Sequence, residues 1–192
     1  DLIADSDRQA KGMKAVADKV PTAASVSMMD LSVEAEAFGC KIHVSDDEVP
    51  SVIGQLLVSE ADVDNLKVPS PKSGRTGLYV EAIKKTRDLI TDRPIFAGVI
   101  GPFSLSGRMM DMSEIMINCN EEPEMVHKVL EKATEFITGY INEYKQIGAD
   151  GVVMAEPAAG LLAPDQCDEF SSRYVKRIAD AVKSDDFAFI YH

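Results

Sequence analysis

Tryptophan is absent, histidine and cysteine occur three times each, and basic residues are outnumbered 20 to 32 by acidic ones. Each shortage excludes something. A formal net charge of −12 argues against a nucleic-acid binder, which needs clustered Lys and Arg to neutralise phosphates. No run approaches the ~18 uncharged apolar residues of a membrane span. Cys40, Cys119 and Cys167 are odd in number and widely spaced, which fits neither a disulfide framework nor a zinc ribbon and suits a reducing compartment, the cytoplasm. The first residues lack the basic and apolar regions of a secretory signal. Neither G-x-G-x-x-G nor G-x-x-x-x-G-K-[ST] occurs, so the usual phosphate cradles are missing.

What is present is an alternation of helical and strand patterns. Helices are predicted over 6–20, with Ser6 or Asp7 as cap and Met13, Val16 and Val20 on one side, and over 30–38, stopped by Gly39. Others are predicted over 77–91, with Val80, Ile83, Arg87 and Ile90 in line, and over 104–110. The longest, 124–147, carries a stripe from Val126 to Tyr144, and the last starts at Pro164 with Phe170, Tyr174, Ile178 and Val182 inward. Buried strands are predicted at 22–28, 95–100, 151–156 and 187–192, with a marginal one at 41–44 and irregular chain, bearing one helical turn, from 45 to 74. This order is α/β. Four strands and a marginal fifth fit either a small open sheet or a piece of a (β/α)8 barrel, which needs eight. The chain lacks an initiator Met and stops on an apolar run; both ends are expected to be cut, which favours the piece: residues 1–192 as one incomplete domain.

In α/β folds the reactive groups sit at the C-terminal ends of strands. Four places qualify: Met28-Met-Asp30, Gly101-Pro102-Phe-Ser104, Glu156-Pro, and Tyr191-His192. Glu156 follows five uncharged residues and precedes Pro, so a partly desolvated carboxylate there suits a metal ligand or a general acid/base, or else a loop cap bonded to backbone N–H. His192 is the one histidine on a strand end, suited to zinc, to proton transfer or to a structural bond. His127 and His43 read as surface residues, His127 on the polar side of its helix with Glu131 and Thr134. Six methionines (Met28, Met29, Met109, Met110, Met112, Met116) read as soft core packing or an adaptable wall for a large flat ligand or a protein partner. Nine acids from Asp30 to Asp64 face Lys41 alone, a segment read mostly as solvated surface.

Asp30-Leu-Ser-Val-Glu-Ala-Glu-Ala-Phe-Gly-Cys40 resembles the D-x-T-V-E-A-E-A-x-G-C stretch of the corrinoid-dependent methyltransferases of the uroporphyrinogen decarboxylase superfamily. Further matches follow in order: Ser51-Val-Ile53, Asp64-x-Leu66-x-Val-Pro69, Phe96-Ala-Gly-Val-Ile-Gly-Pro-Phe103, Gly148-Ala-Asp150, Glu156-Pro and Leu162-Ala-Pro164. The resemblance spans essentially the whole chain and implies a TIM barrel, present here in part. It also implies a zinc-dependent transfer of a methyl group from a methylated corrinoid, carried by a corrinoid protein, to a thiol such as coenzyme M. Zinc in that branch is held by an H-x-C pair and a distant cysteine. His192 stands where the histidine belongs, and Glu156 where an acidic residue can face the metal; this chain cannot complete the set. Asp30, Glu34, Gly101, Pro102 and Ser104 are the expected lining of the mouth.

The sibling activity is uroporphyrinogen decarboxylation, in porphyrin biosynthesis, which uses an R-Q-A-G-R-Y loop after the first strand. Arg8-Gln-Ala10 matches in part, Lys11-Gly-Met13 breaks the match, and the segment reads as helix. The acids between Asp30 and Leu66 suit a substrate with eight carboxylates poorly. A third expectation is a non-catalytic barrel fragment or binding module, whose open strand edges favour homo-oligomers.

Overall fold

The computed structural model describes residues 2–192. Helix α1, Ser6–Lys19, is capped by Asp5, whose carboxylate accepts from the N–H groups of Asp7 and Arg8. The cap therefore lies one residue before the expected Ser6 or Asp7. Strand β1 is only Ser25–Val26, much shorter than the run predicted over 22–28. Only one of its two residues is buried: Ser25 is covered, while Val26 is 42% exposed, and Val16 of α1 and Val20 at its C-cap are open as well. The apolar composition of 22–28 reflects an edge that is covered on one side only.

After β1 the chain turns through α2 (Val33–Phe38), which Gly39 ends in the left-handed region at φ +107°. Strands β2 (Lys41–His43) and β3 (Ser51–Ile53) form an antiparallel hairpin apart from the main sheet. The alternation at 41–44 marked the first of these. The second lay inside the segment predicted irregular. Helix α3 (Glu60–Asn65) carries a capping box from Ser59 and Asp62, and α4 (Thr76–Leu89) follows. Within α4 the buried stripe runs through Thr86 rather than Arg87, which is exposed and donates to the Ile147 carbonyl at 3.0 Å.

Strand β4 (Ile95–Ile100) leads into α5 (Pro102–Met110), then α6 (Met112–Glu121) and α7 (Pro123–Gln146). Helix α6 has too weak a stripe to be read from sequence; Asp111 caps it at φ 77° and only Ile115 and Cys119 are buried. Helix α7 buries its whole predicted stripe. Strand β5 (Gly151–Ala155) is followed by a 3-10 turn, Pro157–Leu161, then α8 (Pro164–Cys167), a π turn over Asp168–Ser172, α9 (Arg173–Val182) and β6 (Ala188–Tyr191). The surface reading of His127 is corrected here. Its ring stacks on Phe170 at 4.8 Å and bonds to Tyr174 Oη at 2.9 Å and Glu169 at 3.1 Å.

The sheet has the order β1-β4-β5-β6, every pair parallel. The order never reverses, so right-handed crossovers carry the helices to one face, as in a barrel and unlike a doubly wound sheet. Burial agrees. Ile95, Ala97, Val99, Val152 and Met154 are buried, while Val26, Phe96, Val153 and Ile190, alternating with them, are half-buried or exposed. The helix-facing side is a packed core; the other side is an open, concave inner face. Strand β6 is an exposed edge rather than the buried strand expected.

Candidate functional site at the strand ends

The register brings the sequence-predicted places to one rim. Ile100 pairs with Ala155 and Met154 with Tyr191, and the Glu156 N–H donates to the His192 carbonyl at 2.9 Å. The Gly101 N–H donates to the Ala155 carbonyl at 2.8 Å. Gly101, Glu156 and His192 are therefore side by side, with Asp30 beyond the end of β1.

Glu156 is 4% exposed and points at the start of α5. One carboxylate oxygen accepts from the Phe103 N–H at 3.0 Å and the other from the Ser104 N–H at 2.6 Å. These are orphan donors of a helix N-terminus, where negative charge is favoured. A Cβ on Gly101 would overlap the carboxylate, so glycine there gives it room. Burial raises the Glu156 pKa, and the bonds from Ser104 and Phe103 oppose that shift. Ser104 Oγ accepts from the Ala158 N–H at 3.1 Å, locking the turn after β5 to α5. Pro102 occupies the first turn of α5, where its missing N–H goes unneeded.

A second cluster sits at the end of β1. Asp30 accepts from the N–H and Oγ of Ser32 at 3.0 and 2.6 Å, pairs with Arg75, and lies 3.4 Å from Tyr79 Oη. Arg75 also donates to Glu36 at 2.5 Å and to Ser32 Oγ at 3.0 Å. Each of its three guanidinium nitrogens thus has a partner within the protein. Glu34, 3% exposed, is different. One oxygen accepts from the Ile100 N–H at 3.0 Å, and the other is buried with no hydrogen-bond partner among the described residues. Burial pushes the Glu34 pKa up to about 7; the Ile100 bond opposes this, the Asp30 charge adds to it, and Arg108 opposes it. Arg108 is half-buried on α5, its own pKa lowered by burial against the pull of Glu34 and Asp30.

Met28, Met29 and Asp30 line a cavity of about 370 Å³ roofed by the acidic loop 45–50. The same three residues also line a cleft of about 10 Å³ that reaches Glu34, Tyr79, Gly98 and Tyr140. Met28 and Met29 stand at this cavity, while Met109 and Met110 are core and Met112 and Met116 are partly buried against it. Among the described residues no three His, Cys, Asp or Glu side chains gather as metal donors. Cys40 and Cys119 are buried and Cys167 is half-buried. The sequence reading brought out Asp30 and Glu34 but missed Arg75, Tyr79 and Arg108, which lie 41 or more residues further on. Arg75 follows Pro69 and Pro71 in a short stretch that holds Lys67 and Lys72 and no acid, a local pattern that does not point to Asp30.

Comparison with known proteins places this geometry. The family model described as uroporphyrinogen decarboxylase (URO-D) matches residues 1–192. A methylcobamide:CoM methyltransferase, MtbA, of Methanosarcina acetivorans is 32% identical over 85% of this chain and 49% of its own. A uroporphyrinogen decarboxylase of Myxococcus xanthus is 30% identical over 84% of this chain and 47% of its own. The solved structure of a methyltransferase from Methanosarcina mazei superposes with a TM-score of 0.89 at 26% identity, covering 98% of this chain and 56% of that one. The chain thus spans about half the length of the curated relatives it matches, and its four parallel strands are a partial TIM barrel. It belongs to the uroporphyrinogen decarboxylase family.

Proposed function

We propose that the protein is a methyltransferase moving a methyl group from a methylated corrinoid, presented by a corrinoid protein, to a thiol acceptor such as coenzyme M. The observation that carries the reading is the charge of the mouth. Asp30, Asp46, Asp47 and Glu48 line its cavity, and Arg75, the arginine nearest Asp30, is bonded to Asp30, Glu36 and Ser32. A substrate with eight carboxylates meets those four acids in the cavity wall, whereas a corrinoid ring meets the methionines and 2-mercaptoethanesulfonate brings one negative charge instead of eight. The likeness to two methanosarcinal methyltransferases supports the same choice.

Zinc as the thiol-activating ion belongs to this reading, and His192 is the ligand this chain offers at the rim. Glu156 does not fit as a second ligand, because both its oxygens already accept backbone N–H groups of α5. What the chain itself supplies is position: Glu156 and Ser104 hold α5 against the β5 turn, Gly101 and Pro102 let the chain enter that helix, and Asp30 with Arg75 fixes the loop after β1. The protein acts in the cytoplasm as a single barrel domain.

The test compares two assays on the full-length protein: methyl transfer from methylcobamide to 2-mercaptoethanesulfonate, and decarboxylation of uroporphyrinogen. Thioether formation without decarboxylation is expected, with zinc bound and lost in a His192→Ala variant. Decarboxylation without thioether formation overturns the reading in favour of the sibling activity.

A further inference from the structure

We propose that Glu34 takes up the proton released by the thiol acceptor, which reaches it from the rim past the side chain of Met29. The inference rests on the methyl-transfer reading and names a residue for its proton chemistry. Three carboxylates crowd the strand ends, and two are spent. Glu156 has an N–H on each oxygen, and Asp30 is held by Ser32, Arg75 and Tyr79. Glu34 alone keeps a buried oxygen without a partner, while its other oxygen is fixed on the last N–H of β4. A buried acceptor left open is costly, and among the described residues Glu34 holds the one carboxylate oxygen so left.

The approach is visible. The cavity under loop 45–50 and the cleft at Glu34 share Met28, Met29 and Asp30 as walls. Met29 lies against Gly98, where a Cβ would overlap its Cγ, and it is 37% exposed. An unbranched, flexible side chain over a glycine is a plug that can swing aside. The groups facing Glu34 are Asp30 before α2, Tyr79 on α4, Arg108 on α5, and Tyr140 and Tyr144 on α7, whose hydroxyls bond to each other at 2.5 Å. Burial raises all three tyrosines, which keep their protons, and pushes Glu34 up to about 7, so Glu34 changes protonation near neutrality where they do not.

In the step, the thiol S–H bond breaks, the proton forms an O–H bond on the free Glu34 oxygen, and the electron pair stays on sulfur. The thiolate then forms the S–C bond to the methyl group. The C–Co bond breaks with its pair left on the corrinoid, which departs reduced.

The test is the pH dependence of thioether formation from methylcobamide and 2-mercaptoethanesulfonate by the full-length protein. In wild type kcat is expected to rise through about pH 7, as Glu34 loses its own proton and becomes able to accept another. In Glu34→Gln kcat should be about 100-fold lower, the loss typical of a missing general base, without that rise and with little change in KM. The same pH profile in the two proteins overturns the assignment while leaving methyl transfer standing. A wild type that forms no thioether overturns both. Should Glu34→Gln fail to fold, Met29→Ile, which stiffens the plug, is expected to weaken thiol binding about tenfold; unchanged binding overturns the route.

Discussion

Glu156 and Glu34 stand at the ends of neighbouring parts of the same sheet, both more than nine-tenths buried and both with raised pKa values. They differ in what their oxygens touch. Glu156 meets two N–H groups at a helix N-terminus, so the charge that burial disfavours is returned to it by bonds and dipole. Glu34 meets one N–H and an empty cleft. Two carboxylates of equal burial therefore divide into one that holds the fold and one left available for protons, and hydrogen-bond accounting, not exposure, separates them.

The largest test of this division is Glu156→Ala. Removing the carboxylate strands the N–H groups of Phe103 and Ser104 and opens a void at the start of α5, an expected loss of about 3–4 kcal/mol. Urea unfolding of wild type and variant measures it. A variant of full stability that has lost only metal or activity would make Glu156 a working residue and erase the contrast.

Glu34→Gln runs in the other direction. The folded-state pKa of Glu34 is raised from 4.5 to about 7, so the native protein binds the proton more tightly than the unfolded chain. Its favourable contribution is full below pH 4.5 and is lost as pH rises through 7, about 3 kcal/mol in all. Unfolding midpoints taken from pH 4.5 to pH 8 should fall more steeply in wild type than in Glu34→Gln. Parallel curves would show that Glu34 is satisfied after all and is no different from Glu156.

How far the sequence anticipated these two sites follows from the range of the forces involved. The strands at 95–100 and 151–156 and the helix at 124–147 were legible because a fully covered element writes its burial into consecutive or 3.6-spaced apolar residues. The edge strands β1 and β6 were overread, since apolar composition does not say that a neighbour is present. Helix α6 and strand β3 went unseen because their buried faces are one or two residues wide. At the site, position after a strand was enough to single out Glu156 and Asp30. Which of them would be spent was not readable, because Phe103 and Ser104 lie more than 50 residues from Glu156 and Arg75 lies 45 from Asp30. The family-like stretch from Asp30 to Cys40 carried Glu34 into the lining, but only the packed structure leaves one of its oxygens alone.

Two glycines sharpen the comparison without touching either acid. A Cβ at Gly101 would land on the Glu156 carboxylate, and that group cannot retreat without leaving its two donors. Gly101→Ala is therefore expected to cost about 2 kcal/mol, read as a lowered unfolding midpoint.

Gly98→Ala should be the mildest. Its Cβ would overlap Met29 Cγ and approach Met29 Cε at 3.1 Å and Ser27 Oγ at 3.4 Å. Met29 is partly in solvent and has three rotatable bonds, so it can turn away for about 1 kcal/mol or less. The more telling readout is access. With the plug displaced, the cleft at Glu34 opens toward the larger cavity, and amide exchange at Ile100, whose N–H is bonded to Glu34, should quicken severalfold. Unchanged exchange at Ile100 with a shifted Met29 methyl resonance would mean that Met29 does not close the way to Glu34. The free oxygen would then be sealed inside the fold, as structural as Glu156.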